Sequence, residues 1–145
     1  MRFKFTLASL LRVRESMEQR EELLLMEVQF EIAAVQRRID ELTAEIAKAS
    51  DGREKALQTW MQACELQSLQ NEMSAAVQAK KAMSETLAAL KKQRDAQMKL
   101  YQAARMNRRV LTDLEGRQRG AWERDQLRTD QKRLDDIFGA RIQRN

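Results

Sequence analysis

Apolar residues recur in steps of three and four along most of this chain. The clearest run covers four heptads without a miss, at Leu25, Val28, Ile32, Val35, Ile39, Leu42, Ile46 and Ala49. Such a narrow stripe is typical of the seam of a coiled coil. Upstream, the spacing continues in a phase shifted by one residue, at Phe3, Leu7, Leu10, Met17 and Leu24. The shift predicts a local adjustment of the supercoil near Leu24.

A second, looser stripe occupies the second half of the chain. Its members are Leu66, Leu69, Met73, Ala76, Met83, Leu87, Leu90, Tyr101, Ala104 and Leu111. Beyond Leu114 it thins to Ala121 or Trp122, Leu127, Leu134, Phe138 and Ile142. Two seams predict an all-α fold, a long antiparallel two-helix coiled-coil hairpin that buries both seams within one molecule. A parallel homodimer would bury them as well, and periodicity alone does not choose between the two.

The balance of the two arms decides where we place the hairpin turn. Residues 50–52 (Ser-Asp-Gly) are the one local helix breaker, but a turn there leaves arms of about 50 and 90 residues. Equal arms place the turn near residues 67–71, which include passable capping residues. We therefore predict one coiled-coil domain over residues 1–145, with arms at about 3–66 and 72–140 and with Gly52 as a kink.

The composition favours long helices and excludes most catalytic chemistry. The 145 residues contain no proline and four glycines, too few to punctuate a sandwich, a barrel or a βαβ fold. With no histidine and one cysteine, Cys64, the chain has no His-based triad, no internal disulfide and no multi-cysteine metal site. The glycines form no phosphate loop, and the carboxylates interleave with Lys and Arg. We expect no enzyme activity, cofactor, metal or small-molecule substrate.

The net positive charge lies at the two ends of the chain. Residues 1–20 hold five basic and two acidic residues, residues 108–145 hold ten basic and seven acidic, and residues 21–107 sum to −1. An antiparallel hairpin would bring these ends together, which predicts an electropositive open end that docks an acidic surface. A nucleic-acid-binding rod is the less favoured alternative, because acidic residues interleave throughout and aromatic residues are sparse. No nucleic acid is expected as a partner.

Residues 56–79 carry only two charges, both glutamates. The segment instead contains a tryptophan, methionines and five glutamines, and low charge with such residues is typical of the core of an interface. We expect a binding surface formed by Trp60, Leu66, Leu69 and Met73. The alternative is a hairpin tip that merely packs on itself.

Both ends of the chain resemble a known family. The opening run from Phe3 to Glu15 (FKFTLASLLRVRE) is similar to the start of many flagellar FliJ proteins. The closing stretch carries a similar acidic-basic signature, in Leu114-Glu115, Trp122-Glu123-Arg124 and residues 130–136 (DQKRLDD). Many members have Asp-Glu where this chain has Asp135-Asp136. Length, lack of proline and the two-seam layout agree with the family over nearly the whole chain.

The resemblance implies a non-enzymatic adaptor or stalk protein of the flagellar type III export apparatus. Members of this family form an antiparallel two-helix coiled coil and dock their paired ends into the pore of a ring-shaped export ATPase. They also contact the export-gate membrane protein and substrate-specific export chaperones. The expected location is cytoplasmic, peripheral at the inner membrane, and no apolar run approaches the ~18 residues that span a bilayer.

We expect particular residues of this chain to contact these partners. The basic residues expected to contact the ATPase ring are Arg12, Arg14, Arg124, Arg128, Lys132 and Arg133. Asp135 and Asp136 are expected to orient these cations or to pair with cations of the ring. The surface formed by Trp60, Leu66, Leu69 and Met73 is expected to bind the export gate or a chaperone.

Overall fold

The structure, a computed structural model, describes residues 2–59 and 62–144. Helix α1 spans Ala8–Gln58 and helix α2 spans Ala63–Arg144. No residue within the described ranges belongs to a strand. The absence of proline removes the strongest helix breaker, and Ala, Leu, Glu, Gln, Lys and Arg all favour helix. The all-α prediction is therefore confirmed.

Local hydrogen bonds mark the end of α1 and the start of α2. The N–H and the hydroxyl of Thr59 both donate to the Lys55 carbonyl, at 3.1 and 2.9 Å. The Gln62 carbonyl accepts hydrogen bonds from the N–H groups of Glu65 and Leu66, at 3.1 and 3.2 Å. Gln62 therefore occupies the N-cap of α2, although glutamine is not a favoured capping residue.

The expected turn at residues 67–71 is wrong. These residues lie inside α2, which begins at Ala63, whereas α1 ends at Gln58. The prediction assumed equal arms, but α1 has 51 residues and α2 has 82. Capping residues without Gly or Pro do not interrupt a helix whose apolar stripe continues through them. Gly52 lies within α1 and does not end it.

The described residues pack into two compact units. Unit 1 comprises Met1–Glu21 with Tyr101–Asn145, and unit 2 comprises Glu22–Leu100. Both helices contribute to each unit. The single coiled-coil domain over residues 1–145 stays a prediction.

The helices of unit 1 run antiparallel. Phe3 lies against Trp122, with 6.0 Å between ring centroids, and Glu18 pairs with Arg108. Moving along the chain from Phe3 to Glu18, the partner on α2 changes from Trp122 to Arg108, which lies earlier in α2. The two arms of one chain pack on each other, which confirms the helical hairpin and shows that the parallel homodimer was the wrong alternative.

In unit 2 the seam follows the stripe predicted for α1. Four of its residues are buried: Leu25, Val28, Ile39 and Leu42. The other four are half-buried: Ile32, Val35, Ile46 and Ala49. On α2, Leu69 lies beside Gly52 of α1, with its Cδ2 atom 3.9 Å from where a Cβ of residue 52 would be. The predicted stripe of α2 is also confirmed, because its members within residues 66–90 are half-buried.

The phase shift predicted upstream of Leu24 is wrong. Four residues of the shifted stripe are exposed by between 37% and 48%, namely Leu7, Leu10, Met17 and Leu24. The buried and half-buried positions instead keep the phase of Leu25, at Leu11, Arg14, Glu18 and Glu21. Glu18 is tolerated in this seam because Arg108 of α2 neutralises it. The ion pair thus substitutes for an apolar contact, and the supercoil needs no local adjustment.

Candidate partner-binding surfaces

The start of the chain is anchored on α2 within unit 1. Phe5 forms a buried hydrophobic cluster with Leu11 of α1 and Leu111 of α2. Burying large apolar side chains in this way contributes roughly 1.5–3 kcal/mol each. The cluster therefore holds the non-helical residues that precede α1 against α2.

The paired part of unit 1 ends at Phe3. Its ring meets that of Trp122 at an angle of 53°, and the guanidinium carbon of Arg119 lies 5.5 Å from the Phe3 ring centroid. Such a tilted aromatic pair and cation–π contact stabilise the start of the chain. Helix α2 continues beyond this contact, and we call its residues 123–144 the C-terminal extension.

Almost the whole C-terminal extension faces solvent. Gln126 is half-buried, and every other residue of the extension is exposed. Five large apolar side chains are exposed by between 50% and 77%: Leu127, Leu134, Ile137, Phe138 and Ile142. The sequence identified four of these only as a thinning seam and did not single out Ile137. Exposed apolar rows of this kind are typical of interaction surfaces.

Six of the residues expected to contact an ATPase ring lie on the C-terminal extension. All six are exposed: Arg124, Arg128, Lys132, Arg133, Asp135 and Asp136. Arg12 lies in the paired part of unit 1 instead. Because Glu18 faces Arg108, Arg12 is level with about residue 114, which is roughly 20 Å along the helix axis from Arg128. The structure spreads these cations along unit 1 and does not gather them at one tip.

Two of the expected ring contacts have local partners within their own helix. Arg14 is half-buried, and its Nη1 atom lies 3.9 Å from the sulfur of Met17. Asp135 accepts a hydrogen bond from the Gln131 amide at 3.3 Å. The described contact of Asp135 is thus with a neutral amide of its own helix.

Sequence reasoning missed the ion pair between Glu18 and Arg108. The Arg108 Nε and Nη2 atoms donate to the two carboxylate oxygens of Glu18, at 2.6 and 3.2 Å. This bidentate geometry is the strongest form of the carboxylate–guanidinium contact. The hydrogen bond lowers the pKa of Glu18 below its ordinary value and raises the pKa of Arg108. Residues 18 and 108 both continue the apolar phase of their helices, but matching them to each other requires the register between the two arms.

Replacing Glu18 by glutamine is expected to lower the thermal midpoint of unfolding at pH 7. The folded-state pKa of Glu18 lies below its ordinary value of 4.5, so the ion pair contributes fully above that value. The contribution is lost as the pH falls through the folded-state pKa. Melting curves of the chain and the variant should therefore differ at pH 7 and converge in acid.

The control for this prediction is the exposed pair between Arg38 and Glu41 within α1. Replacing Glu41 by glutamine should change the midpoint much less, because exposed pairs contribute little. A difference between the Glu18→Gln variant and the chain that stays constant from neutral to acid pH would contradict the role of this ion pair.

The second expected surface is partly used by the helix pair itself. Leu66, Leu69 and Met73 are half-buried in the seam of unit 2. Leu69 also lines an open groove between the helices, where small residues such as Ala76 leave space. Trp60 lies outside the described residues. Leu57, which the sequence analysis did not single out, is 63% exposed near the end of α1.

No group of three or more His, Cys, Asp or Glu residues among residues 2–59 and 62–144 could hold a metal ion. In the same part of the chain, no helix has the length and apolar character that a membrane span needs. Cys64 is an exposed free thiol near the start of α2. It must be replaced before cysteine labels are introduced elsewhere.

The fold and the exposed surfaces define a helical-hairpin protein of the coiled-coil type. A family model described as "Flagellar FliJ protein" matches residues 3–145, and the chain belongs to this family. Membership confirms the resemblance seen at both ends of the sequence and implies a component of the flagellar export apparatus. No curated protein and no solved structure matches the chain.

Proposed function

We propose that this protein is an adaptor of the flagellar export apparatus that docks its C-terminal extension into the export ATPase ring. The adaptor carries out no chemistry of its own and takes no nucleic acid or small molecule as a partner. The observation that carries the proposal is the extension, a length of α2 that continues past Phe3 with its apolar and basic side chains exposed. A protruding helix can enter a pore while the rest of the hairpin stays folded.

Charge and apolar contact have separate roles in this docking. A single exposed ion pair contributes only about 0.2–1 kcal/mol, so the arginines mainly steer and orient the helix. Arg124, Arg128 and Arg133 present planar guanidinium groups suited to carboxylates of an acidic pore. The exposed apolar row supplies the larger share of the affinity through burial. Arg12 lies about 20 Å back along the axis, where it would meet the rim of the ring.

The test reverses three exposed charges of the extension together, as Arg128→Glu, Lys132→Glu and Arg133→Glu. Association with the export ATPase ring should weaken at least about tenfold at low salt, because three attractions become repulsions. The difference should shrink at high salt, where exposed charges are screened. The matched control reverses three exposed lysines of α2 in unit 2, Lys91, Lys92 and Lys99, and should bind the ring normally. Unchanged binding of the first variant at both salt concentrations would refute ring docking through these cations.

We propose that the low-charge end of unit 2 binds the export gate or an export chaperone. The support is the low charge of residues 56–79 and the groove beside Leu69. With these partners the adaptor works at the cytoplasmic face of the inner membrane. Trp60, Leu66, Leu69 and Met73 are assigned to this surface, and Leu57 lies near it in the sequence.

Two variants test this second surface. One combines Leu66→Ala with Met73→Ala, and the other replaces the exposed Leu57 by aspartate, which leaves the seam intact. Capture of the gate protein or chaperone should fall in both variants, while association with the ATPase ring is retained as evidence of folding. Normal capture by both variants would contradict the assignment.

A further inference from the structure

The apolar row on the C-terminal extension follows a short heptad pattern. Leu127 and Leu134 occupy one core position, seven residues apart, and Phe138 occupies the other core position together with Gln131. All three apolar side chains are at least 50% exposed. A helix that carries a heptad stripe buries it against a second helix whenever one is available. The structure shows no such helix over the described residues of the extension, which are exposed from Leu127 onward.

The charges that flank this row favour one orientation of two identical helices. Arg128 and Asp135 lie on one flank, seven residues apart, and Glu123 and Asp130 lie on the other flank, also seven residues apart. In a parallel pair, opposite flanks meet, so Asp130 of each copy would face Asp135 of the other and Glu123 would face Arg128. In an antiparallel pair, equal flanks meet, so Arg128 of each copy faces Asp135 of the other when Leu127 packs on Phe138. The antiparallel pair therefore makes two attractions, whereas in the parallel pair two attractions are offset by two repulsions.

A second exposed apolar patch does not fit a second copy. Phe30 is 70% exposed on α1, but Glu27 and Glu31 flank it, and no basic residue lies between Arg20 and Arg37. Two copies that met through this patch would place carboxylates against carboxylates. The self-complementary pattern therefore belongs to the C-terminal extension, and Phe30 provides a matched control for Phe138.

We propose that two copies of the free chain associate through their C-terminal extensions in an antiparallel pair. Leu127 of each copy packs on Phe138 of the other, and Arg128 of each copy pairs with Asp135 of the other. The interface between Leu127 and Phe138 spans twelve residues, less than two heptads, so the dimer is weak and forms at micromolar or higher concentration. This pairing does not depend on the proposed ring docking. If both occur they exclude each other, because they cover the same face.

Sedimentation of the full chain alone tests the pairing without the ATPase ring. The chain should show a concentration-dependent equilibrium between monomer and dimer up to about 200 µM. The Phe138→Glu variant should remain monomeric over this range, and the Phe30→Glu variant should dimerise as the chain does. Both side chains are exposed, so neither change should alter the thermal midpoint. A chain that is monomeric throughout, or a dimer insensitive to Phe138→Glu, would overturn the proposal.

Charge exchange and cross-linking test the orientation. Arg128→Asp should weaken the dimer at least about threefold, and the double variant Arg128→Asp with Asp135→Arg should restore it. With Cys64 replaced by serine, Leu127→Cys and Phe138→Cys chains mixed before mild oxidation should form a mixed disulfide dimer. The Leu127→Cys chain alone should cross-link poorly. Efficient cross-linking of Leu127→Cys chains to themselves would show a parallel pair and overturn the proposed geometry.

Discussion

Replacing Leu42 by alanine is expected to lower the free energy of unfolding by about 2–3 kcal/mol. Leu42 is 2% exposed, and its side chain is the largest that is fully buried among the described residues. Truncation removes apolar contacts and leaves space in the seam of unit 2. The loss should stay in the lower part of the usual range, because this space would join the open groove that Ala49 and Ala76 already line. Chemical denaturation followed by circular dichroism measures the change.

Leu23→Ala is the matched control for this experiment. Leu23 lies on the same helix and is 61% exposed, so the substitution makes the same change in helix propensity without opening a cavity. Its effect should stay within about 0.5 kcal/mol. Equal losses for Leu42→Ala and Leu23→Ala would contradict the assignment of Leu42 to the core.

Replacing Leu111 by aspartate is expected to detach the start of the chain from α2. Leu111 is the one buried residue of α2 within the described part, and it packs with Phe5 and Leu11. A carboxylate in this cluster must either lose its hydration or displace Phe5 and Leu11 from α2. Either outcome should lower the free energy of unfolding by about 3 kcal/mol or more. Backbone amides near Leu11 should then exchange hydrogen much faster, while amides near Leu42 in unit 2 stay protected.

The neighbouring residue supplies the control for this prediction. Val110 is 59% exposed, and Val110→Asp introduces the same charge one position away. Its hydrogen exchange should match that of the unmodified chain. Unchanged exchange near Leu11 in the Leu111→Asp variant would show that the cluster does not hold the N-terminal segment.

The two seams of the hairpin could be predicted because their main determinant is periodic. Every apolar residue from Leu25 to Ala49 in the predicted stripe is buried or half-buried, and so are the stripe residues of α2 up to Leu111. A seam selects side chains by spacing, and spacing can be read directly from a sequence. Periodicity did not decide whether the two seams pair within one chain or between two parallel copies, and that choice followed from the antiparallel contacts of unit 1.

The seam near the N-terminus could not be read in this way. Glu18 and Arg108 occupy core positions as a charged pair, and each looks like an interruption when its own helix is considered alone. Apolar residues at Leu10 and Met17 suggested the wrong phase, although they are exposed. Recognising such a pair requires the register between the arms, and register depends on where the turn lies.

The turn was misplaced for a related reason, and the error hid the C-terminal extension. No Gly or Pro marks the end of α1, and its last residues are capped by local hydrogen bonds to Lys55. Moving the turn toward the N-terminus lengthens α2 relative to α1, so residues 123–144 continue past Phe3 without a partner helix. The expected cationic residues were present, but their placement on a protruding helix followed only from the structure.

The most direct test of the antiparallel hairpin is a distance between spin labels at Gln19 and Asn107 in unit 1. Both residues are exposed, and the contact between Glu18 and Arg108 places them side by side. With Cys64 replaced by serine and with excess unlabelled chain, we predict an intramolecular distance below about 30 Å, since packed helices lie 8–10 Å apart. An intramolecular distance near 130 Å, as expected for one continuous helix at 1.5 Å per residue, would contradict the hairpin.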